Sequence, residues 1–202
     1  MSAEPDTGIV TGADGIRRCS WAGSTPDYAA YHDDEWGVPV RGEQALFERL
    51  SLEAFQSGLS WLTILRKRPA FRAAFAQFDP EIVAGFGDAD RHRLLADAGI
   101  VRNAAKIDAT ITNARAVLAL REVRGPEALD ELIWSYAPAD HTPPAHRGEL
   151  RASTPESAAL AKDLTQRGFR FVGPTTAYAA MQACGLVDDH LLGCHRSGYA
   201  PR

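Results

Sequence analysis

Two pairs of potential metal ligands lie near opposite ends of this 202-residue chain. The first pair is Cys19 and His32, and the second is His190 and Cys194. On a helix, residues four positions apart project from one face, so the second pair would offer an imidazole and a thiolate one turn apart. The four residues could complete a tetrahedral Cys2His2 zinc site, which is structural because it leaves no open position. Two unrelated surface histidines and two buried cysteines are the alternative that spacing alone leaves open.

The composition is that of an ordinary globular protein, with 45% apolar and 24% charged residues. The length suits one domain, or one domain with a small lobe. A net charge of −4 excludes a protein coated in basic charge, although a local basic patch is compatible with it. Three cysteines without a disulfide pattern or a secretory signal favour a reducing cytoplasm. No apolar run approaches the roughly 18 residues of a membrane span, so no membrane partner is expected.

Helical periodicity dominates the chain, and strand signals are few and weak. Residues 1–16 are polar and aperiodic and are predicted to form a disordered arm, followed by a single all-α domain over 17–202. The helix that starts at Trp61 is predicted to end at Pro69. The other predicted helices begin near Glu43, after the caps Asp79 and Asp88, near Ile107, near Glu127, after a capping box at Ser153 and at Pro174.

Two glycines five residues apart separate the last two predicted helices. The segment Arg167–Gly173 contains Gly168 and Gly173, and a helix is predicted to start directly after it. Glycine permits a turn with positive φ and leaves backbone N–H groups accessible. The free N–H groups and positive dipole end of the next helix would suit an anion such as a DNA phosphate. A plain tight helix–helix connection is the alternative.

An aromatic and acidic constellation surrounds His32. Glu53 and Trp61 follow it in the sequence. Aromatic faces with one carboxylate suit a planar cationic ligand, which needs stacking, cation–π attraction and a hydrogen-bond acceptor. Alternatively, the tryptophans pack around a zinc site and Glu53 pairs with an arginine. The aromatic residues are Trp21, Tyr28, Tyr31 and Trp36.

Seven segments in order together carry a resemblance that covers the chain from about Arg18 to His195. They are Arg18-Cys-Ser-Trp21, Tyr31-His-Asp-Asp-Glu-Trp-Gly-Val-Pro39, Leu52-Glu53, Gly58-Leu-Ser-Trp61, Asp97-Ala-Gly-Ile100, Arg167-Gly-Phe-Arg-Phe-Val-Gly173 and Met181-Gln-Ala-Cys-Gly-Leu-Val-Asp-Asp-His-Leu-Leu-Gly-Cys194. This ordered set resembles the DNA-3-methyladenine glycosylase I family of the helix-hairpin-helix glycosylase superfamily. The resemblance implies a multi-helix fold of two helical lobes, with the hairpin at 167–173 and a zinc site that joins the N- and C-terminal segments.

The resemblance also implies a role for individual residues. Glu53 would recognise the edge of the damaged base, and Leu59 would wedge into the base stack left behind. Tyr31 and Trp61 would stack on the base from its two sides. The remaining implied roles are pocket completion by Trp21 and Tyr28, zinc binding by Cys19, His32, His190 and Cys194, and phosphate binding by Gly168, Arg170, Gly173 and Thr175.

The resemblance implies a monofunctional DNA glycosylase of base excision repair, acting on double-stranded alkylated DNA. Bifunctional superfamily members carry a lysine just after the second hairpin glycine, where this chain has Pro174 and Thr175. Asp188 stands at the place of a superfamily catalytic aspartate, and it could act in catalysis or cap the zinc-binding helix. We expect a monomer with one structural zinc and no organic cofactor. A zinc hydrolase and a non-catalytic DNA-binding module are the competing classes.

Overall fold

The structure is a computed structural model in which residues 7–198 are described. It is mostly helical, as the sequence predicts, and it also contains a small two-stranded sheet. Predictions for residues 1–6 and 199–202 lie outside the described residues. None of the described helices is both long enough and apolar enough to cross a membrane.

The sheet corrects the prediction of a disordered arm for residues 7–16. Strand β1 (Ile9–Thr11) pairs antiparallel with strand β2 (Arg17–Cys19), with Ile9 opposite Cys19. Backbone pairing orders this polar segment, and the Arg18 guanidinium adds ion pairs to Asp14 and Asp33 at 2.8 and 2.6 Å. The segment lacks apolar periodicity because these interactions, rather than a buried face, hold it. Strand β2 therefore delivers Cys19 in a defined position.

The chain folds as two compact units, and both are discontinuous in sequence. Unit 1 takes the described residues up to Val40, residues 137–152 and those from Met181 onward. Unit 2 takes residues 41–136 and 153–180. The sequence predicts two lobes but no boundary between them, because the chain passes between the units several times.

Unit 1 holds the β1–β2 hairpin, a 3-10 turn at Ser20–Ser24 and helix α1 (Pro26–Asp34). A second 3-10 turn at Arg147–Glu149 belongs to the segment 137–152. The segment from residue 184 to 198 is made of turns. The predicted zinc-binding helix through His190 and Cys194 is therefore wrong. Gly193 takes a φ of +89°, which interrupts helical geometry between the two ligands.

Unit 2 is built on a phenylalanine-rich core. Phe55, Phe71 and Phe75 are fully buried and in mutual ring contact, with centroids 4.6 to 6.3 Å apart. The longest helix packs on several of its neighbours through an almost entirely buried face. The helices are α2 (Glu43–Gln56), α3 (Trp61–Ala74), α4 (Pro80–Ala84), α5 (Asp88–Ala96), α6 (Ala104–Arg124), α7 (Ala128–Trp134) and α8 (Pro155–Gln166), and α9 (Pro174–Ala183) starts in this unit.

Helix ends follow local chemistry with small shifts from the prediction. The Asp79 carboxylate accepts hydrogen bonds from Glu81 and Ile82 N–H and caps α4, as predicted. Thr154, not Ser153, caps α8, because its hydroxyl accepts from the N–H of Ser157. Helix α3 continues through Pro69 to Ala74, so the predicted break there is wrong.

Candidate metal centre and base-recognition residues

Three of the four predicted metal ligands meet in the interior of unit 1. The ligand atoms of Cys19, His32 and Cys194, which we call the ligand cluster, all lie within 4.8 Å of one another. The Nε2 of His32 is 3.4 Å from the sulfur of Cys194. All three side chains are buried, with exposures of 0, 0 and 5%. Two sulfurs and an imidazole nitrogen in a closed site form a donor set that zinc prefers.

His190 lies beside the ligand cluster but outside the 4.8 Å group. Its ring centroid is 4.9 Å from that of His32, at an interplanar angle of 86°. The Nε2 of His190 is buried, and within the described residues it has no hydrogen-bond partner. An orphaned buried acceptor is costly unless a ligand satisfies it. The observation fits His190 as the fourth donor to a metal.

Each histidine ring is oriented by a carboxylate. The Nδ1 of His32 lies 2.8 Å from Asp33, and the Nδ1 of His190 lies 2.9 Å from Asp188. Asp33 is held in turn by Arg18, which lowers its pKa against the opposing effect of burial. A carboxylate on Nδ1 fixes the tautomer that leaves Nε2 as the acceptor, as around metal-binding histidines generally.

The two cysteines of the ligand cluster affect each other's ionisation. A hydrogen bond from Cys19 to Cys194 lowers the pKa of the Cys194 thiol and raises that of Cys19, and burial adds to the rise. A divalent cation between the sulfurs would favour loss of the Cys19 proton as well, because coordinated thiols are deprotonated. Two sulfurs with two Nε2 atoms therefore fit the predicted Cys2His2 zinc site.

The Asp188 carboxylate forms hydrogen bonds with His190 and with the backbone near it. It accepts from the backbone N–H of His190 at 3.1 Å and from the N–H of Gly198 at 2.6 Å, in addition to the His190 ring. Burial alone would raise the pKa of Asp188, but these hydrogen bonds lower it. The contacts favour a role in positioning His190 over the catalytic role. Asp188 does not cap a zinc-binding helix, because the chain makes turns rather than a helix here.

The predicted aromatic cluster forms within unit 1 and continues into the metal surroundings. Trp21 contacts Tyr28 with ring centroids 4.9 Å apart and Tyr31 at 6.5 Å. Trp21 also lies 5.1 Å from the His32 ring, and Trp36 lies 4.6 Å from the His190 ring. Trp36 therefore packs against a metal ligand, as the alternative predicts. Trp21 packs both against His32 and against the two tyrosines. Tyr31 is 3% exposed and Tyr28 is partly buried.

Glu53 is a buried acid near the end of helix α2 in unit 2. It is 5% exposed, and within the described part of the chain no hydrogen bond reaches its carboxyl group. Burial raises its pKa to about 8, against the opposing charge of Arg49. The predicted pairing with an arginine is therefore a charge proximity rather than a hydrogen-bonded ion pair. A buried acid with a raised pKa is typical of functional sites.

The turn that follows α2 displays a large apolar side chain. Gly58 takes a φ of +81°, and the adjacent Leu59 is 42% exposed. We call residues 57–60 the Leu59 turn. Ser60 closes the turn by accepting from the N–H of Thr63, which caps helix α3 directly before Trp61. Exposed leucine at a tight turn suits insertion between bases, the role that the resemblance implies.

Glu53 should make the stability of the folded chain pH-dependent. The carboxyl pKa moves from about 4.5 in the unfolded chain to about 8 in the folded one. Between these values the folded chain keeps a proton that the unfolded chain has lost, so the free energy of unfolding falls as pH rises. We expect Glu53 to contribute a loss on the order of 4 kcal/mol across this window, and Glu53→Gln to abolish it. Urea titrations of both proteins at several pH values measure the difference, and parallel curves would contradict it.

The hairpin at Arg167–Gly173 joins α8 to α9 in unit 2. Gly168 takes the positive φ of +93° that the turn requires, whereas Gly173 does not. Phe171 is a non-glycine residue with a φ of +55°, and it is 44% exposed. The four predicted phosphate-binding positions are exposed or partly exposed on this hairpin and the first turn of α9, namely Gly168, Arg170, Gly173 and Thr175.

Comparison with known proteins identifies the family. Residues 21–197 match the family model for methyladenine glycosylase. The chain belongs to this family. DNA-3-methyladenine glycosylase 1 of Escherichia coli (strain K12) is 47% identical over 183 residues, which cover 89% of this chain and 96% of that protein. The DNA-3-methyladenine glycosylase of Haemophilus influenzae is 44% identical over 181 residues, covering 88% and 96%.

Solved structures of the family share the fold of this chain. A crystal structure of 3-methyladenine DNA glycosylase I has a TM-score of 0.84 at 47% identity and covers 88% of this chain and 98% of its own. The Staphylococcus aureus 3-methyladenine DNA glycosylase I, in a structure that addresses 3-methyladenine recognition, has a TM-score of 0.83 at 35% identity. That alignment covers 92% of this chain and 97% of the other.

In this member of the methyladenine glycosylase family, some predicted site residues belong to unit 1 and others to unit 2. Glu53, Leu59 and Trp61 belong to unit 2 with the hairpin. The four metal ligands belong to unit 1, as do Trp21, Tyr28, Tyr31 and Asp188. Two buried polar residues of α6, Lys106 and Asn113, are not among the residues that the sequence predicts. The local signal for them is polar residues at helical spacing among the apolar residues of α6.

Proposed function

We propose that this chain is a monofunctional DNA glycosylase of base excision repair, which removes 3-methyladenine from alkylated double-stranded DNA and leaves an abasic site. The observation that carries the proposal is a family match over residues 21–197 that includes a buried acid with a raised pKa at Glu53. The two relatives described above are named for the same activity. A non-catalytic DNA-binding module would not need this acid, and a zinc hydrolase would need an open metal position.

The reaction needs selection of a cation more than strong acid catalysis. Methylation at N3 gives the purine a positive charge and weakens its glycosidic bond. Water adds to the sugar carbon and loses a proton to solvent, the glycosidic bond breaks, and the base leaves with the bonding electrons as neutral 3-methyladenine. Since the leaving group is already activated, the enzyme must extrude the nucleotide, bind the base and stabilise positive charge on the sugar. Extrusion costs a few kcal/mol and is easier for a damaged base.

Glu53 supplies the selective contact. Its ionised carboxylate would accept hydrogen bonds from the exocyclic amine of 3-methyladenine, and the base cation would favour ionisation of an acid that is otherwise held neutral. Tyr31 and Trp61 would stack on the base, with Trp21 and Tyr28 completing the aromatic surroundings. Stacking of this kind contributes about 1–3 kcal/mol per base.

The helix–hairpin–helix formed by α8, residues 167–173 and α9 would bind the DNA backbone. The exposed Gly173 precedes Pro174, the first residue of α9, so the backbone N–H groups of this helix start are open to a phosphate. Arg170 adds an exposed positive charge. No lysine follows Gly173, since Pro174 and Thr175 occupy those positions, so no Schiff base forms here and the strand is left intact.

Zinc would be held by Cys19, His32, His190 and Cys194, one ion per chain. With four protein ligands the ion has no open position, so its contribution is folding energy rather than chemistry at the base. Hydrolysis of an activated base requires no organic cofactor. A monomer in the cytoplasm stays our expectation.

Two glycine substitutions should separate turn geometry from phosphate contact. Gly168→Ala places a side chain at a φ of +93° and should destabilise the fold by about 1–2 kcal/mol. Gly173 has no such φ, and a Cβ there would meet nothing within 4 Å, so Gly173→Ala should leave stability unchanged. Its methyl group should nonetheless weaken binding to undamaged duplex by roughly fivefold and flatten the salt dependence. A folded Gly173→Ala protein with unchanged affinity and salt slope would exclude the hairpin as the phosphate site.

The proposed activity is tested with a methylated duplex. The purified chain should release free 3-methyladenine, identified by chromatography against the authentic base. The DNA strand should stay intact until alkali cleaves the abasic site. Strand breaks without alkali would contradict the monofunctional reaction, and absence of the free base would contradict the function.

A further inference from the structure

We infer that one face of helix α6, made of Lys106, Thr110 and Asn113, fixes the position of the Leu59 turn relative to the hairpin. The hairpin then binds the DNA backbone where the Leu59 turn can extrude the base. We call Lys106, Thr110 and Asn113 the α6 polar face. The inference rests on the proposed function, since it assigns Lys106 and Asn113 as positioning residues for that reaction. All the elements involved belong to unit 2.

Lys106 holds the start of the Leu59 turn. Its Nζ donates to the carbonyl oxygens of Phe55 and Ser57 at 3.0 and 2.6 Å. These are carbonyls at the C-terminal end of α2, which carries partial negative charge and lacks helical N–H partners. Glu53 lies two residues before Phe55, and Leu59 lies two residues after Ser57. Lys106 therefore anchors the backbone between the base-recognition acid and the proposed wedge.

Burial of an ammonium group is costly, and the two carbonyl hydrogen bonds offset that cost only while the turn keeps its geometry. Lys106 is only 7% exposed, and burial lowers the pKa of its ammonium group. Its partners among the described residues are neutral carbonyls rather than a carboxylate. A buried cation without an ion-pair partner is tolerated when its hydrogen bonds fix a required geometry.

Asn113 holds the hairpin in the same manner. Its amide donates to the carbonyl of Arg170 at 3.0 Å and accepts from the N–H of Arg170 at 2.7 Å. Asn113 is 2% exposed, so both of these bonds are shielded from water. The next residue, Phe171, has a φ of +55°, which is strained for a residue other than glycine. Asn113 therefore binds the hairpin backbone directly before this strained residue.

A single rigid helix connects the two anchors. Lys106 and Asn113 are seven residues apart, which is two helical turns and about 10 Å along one face. Thr110, between them, donates to the carbonyl of Lys106 at 2.9 Å and is itself buried. The hairpin, which would bind phosphate, and Leu59, which would insert between bases, can act on the same duplex only if the distance between them is kept. Misplacement of a positioned group by 1 Å can cost roughly 100-fold in rate.

The same helix offers a matched control. Arg115 also donates to two backbone carbonyls, those of Ala84 at 3.0 Å and Phe86 at 3.2 Å. These carbonyls lie at the C-terminal end of α4 and just after it, and they do not belong to the Leu59 turn or the hairpin. Arg115→Met thus removes a cation that binds the end of α4. The Leu59 turn and the hairpin keep their contacts with Lys106 and Asn113.

The test compares Lys106→Met, Lys106→Gln, Asn113→Ala and Arg115→Met in the full chain, at a temperature where melting curves show each protein folded. Single-turnover release of 3-methyladenine and binding to undamaged duplex are measured for each. Lys106→Met should slow release by roughly 10- to 100-fold while changing undamaged-duplex affinity by less than about twofold. Asn113→Ala should weaken undamaged-duplex binding by roughly fivefold or more. Arg115→Met should change neither by more than about twofold.

A double-mutant cycle distinguishes positioning from general stability. If Lys106 acts through the Leu59 turn, adding Lys106→Met to Leu59→Ala should slow release little further, because the wedge is already lost. Additive losses, or equal losses in Lys106→Met and Arg115→Met, would overturn the inference. If Lys106→Met does not fold, the same criteria apply to Lys106→Gln. Absence of 3-methyladenine release by the wild type would instead overturn the proposed function, so the two failures are distinguishable.

Discussion

Glu53→Gln is expected to slow single-turnover release of 3-methyladenine by roughly 10- to 150-fold, the equivalent of one charge-assisted hydrogen bond of about 1.5–3 kcal/mol. Glutamine keeps the size of the side chain but removes the charge. One of its two polar atoms becomes a donor that would face the donor amine of the adenine. Because burial raises the pKa of Glu53 to about 8 in the protein without a base, the second-order rate at low enzyme concentration should also rise with pH toward that value for the wild type, whereas that of the variant should not.

Glu48→Gln is the matched control for this loss. Glu48 lies on the same helix, and its carboxylate pairs with Arg72 at 2.8 Å. Its removal should cost less than about 1 kcal/mol of stability and leave release unchanged. Equal rates for wild type and Glu53→Gln would mean that Glu53 is a structural acid and that selectivity resides in the aromatic residues.

Substitution of a metal ligand should produce the largest loss of stability. Structural zinc contributes about 10–16 kcal/mol in small finger peptides, but here an apolar core shares the task. We expect Cys19→Ser and His190→Ala each to lower the free energy of unfolding by on the order of 4 kcal/mol and to abolish bound zinc. Elemental analysis and urea unfolding measure these two effects.

Cys184 provides the control for the metal ligands. It is the third buried cysteine and lies outside the ligand cluster. Cys184→Ser should keep one zinc per chain and lose far less stability than Cys19→Ser. If the purified, active wild-type protein contained no zinc, the assignment of the metal centre would be wrong.

Local chemistry explains what sequence analysis predicted correctly. Helix α6 shows its apolar face at fixed spacing, and Asp79 with Pro80 marks the start of α4. The helix signals lie within a few residues of the feature that they predict. The convergence of Cys19, His32 and Cys194 was predicted instead from residue types that zinc prefers and from the family resemblance, because His32 and Cys194 are 162 residues apart.

Features that depend on distant partners could not be predicted. The β1–β2 pairing uses backbone hydrogen bonds, which polar residues can make as well as apolar ones. Lys106 and Asn113 bind carbonyl and amide groups 49 to 57 residues away, so nothing near them in sequence indicates their role. The raised pKa of Glu53 likewise reflects burial, which a sequence pattern does not quantify.

We propose that this chain selects its base by the amino group at position six. The most direct test is to measure release of 3-methyladenine and 3-methylguanine from the same methylated duplex under single-turnover conditions. The oxygen at position six of guanine cannot donate to Glu53, whereas the six-amino group of adenine can. We predict rapid release of 3-methyladenine and release of 3-methylguanine that is slower by roughly tenfold or more. Equal release of the two bases, or release of neither, would contradict the account.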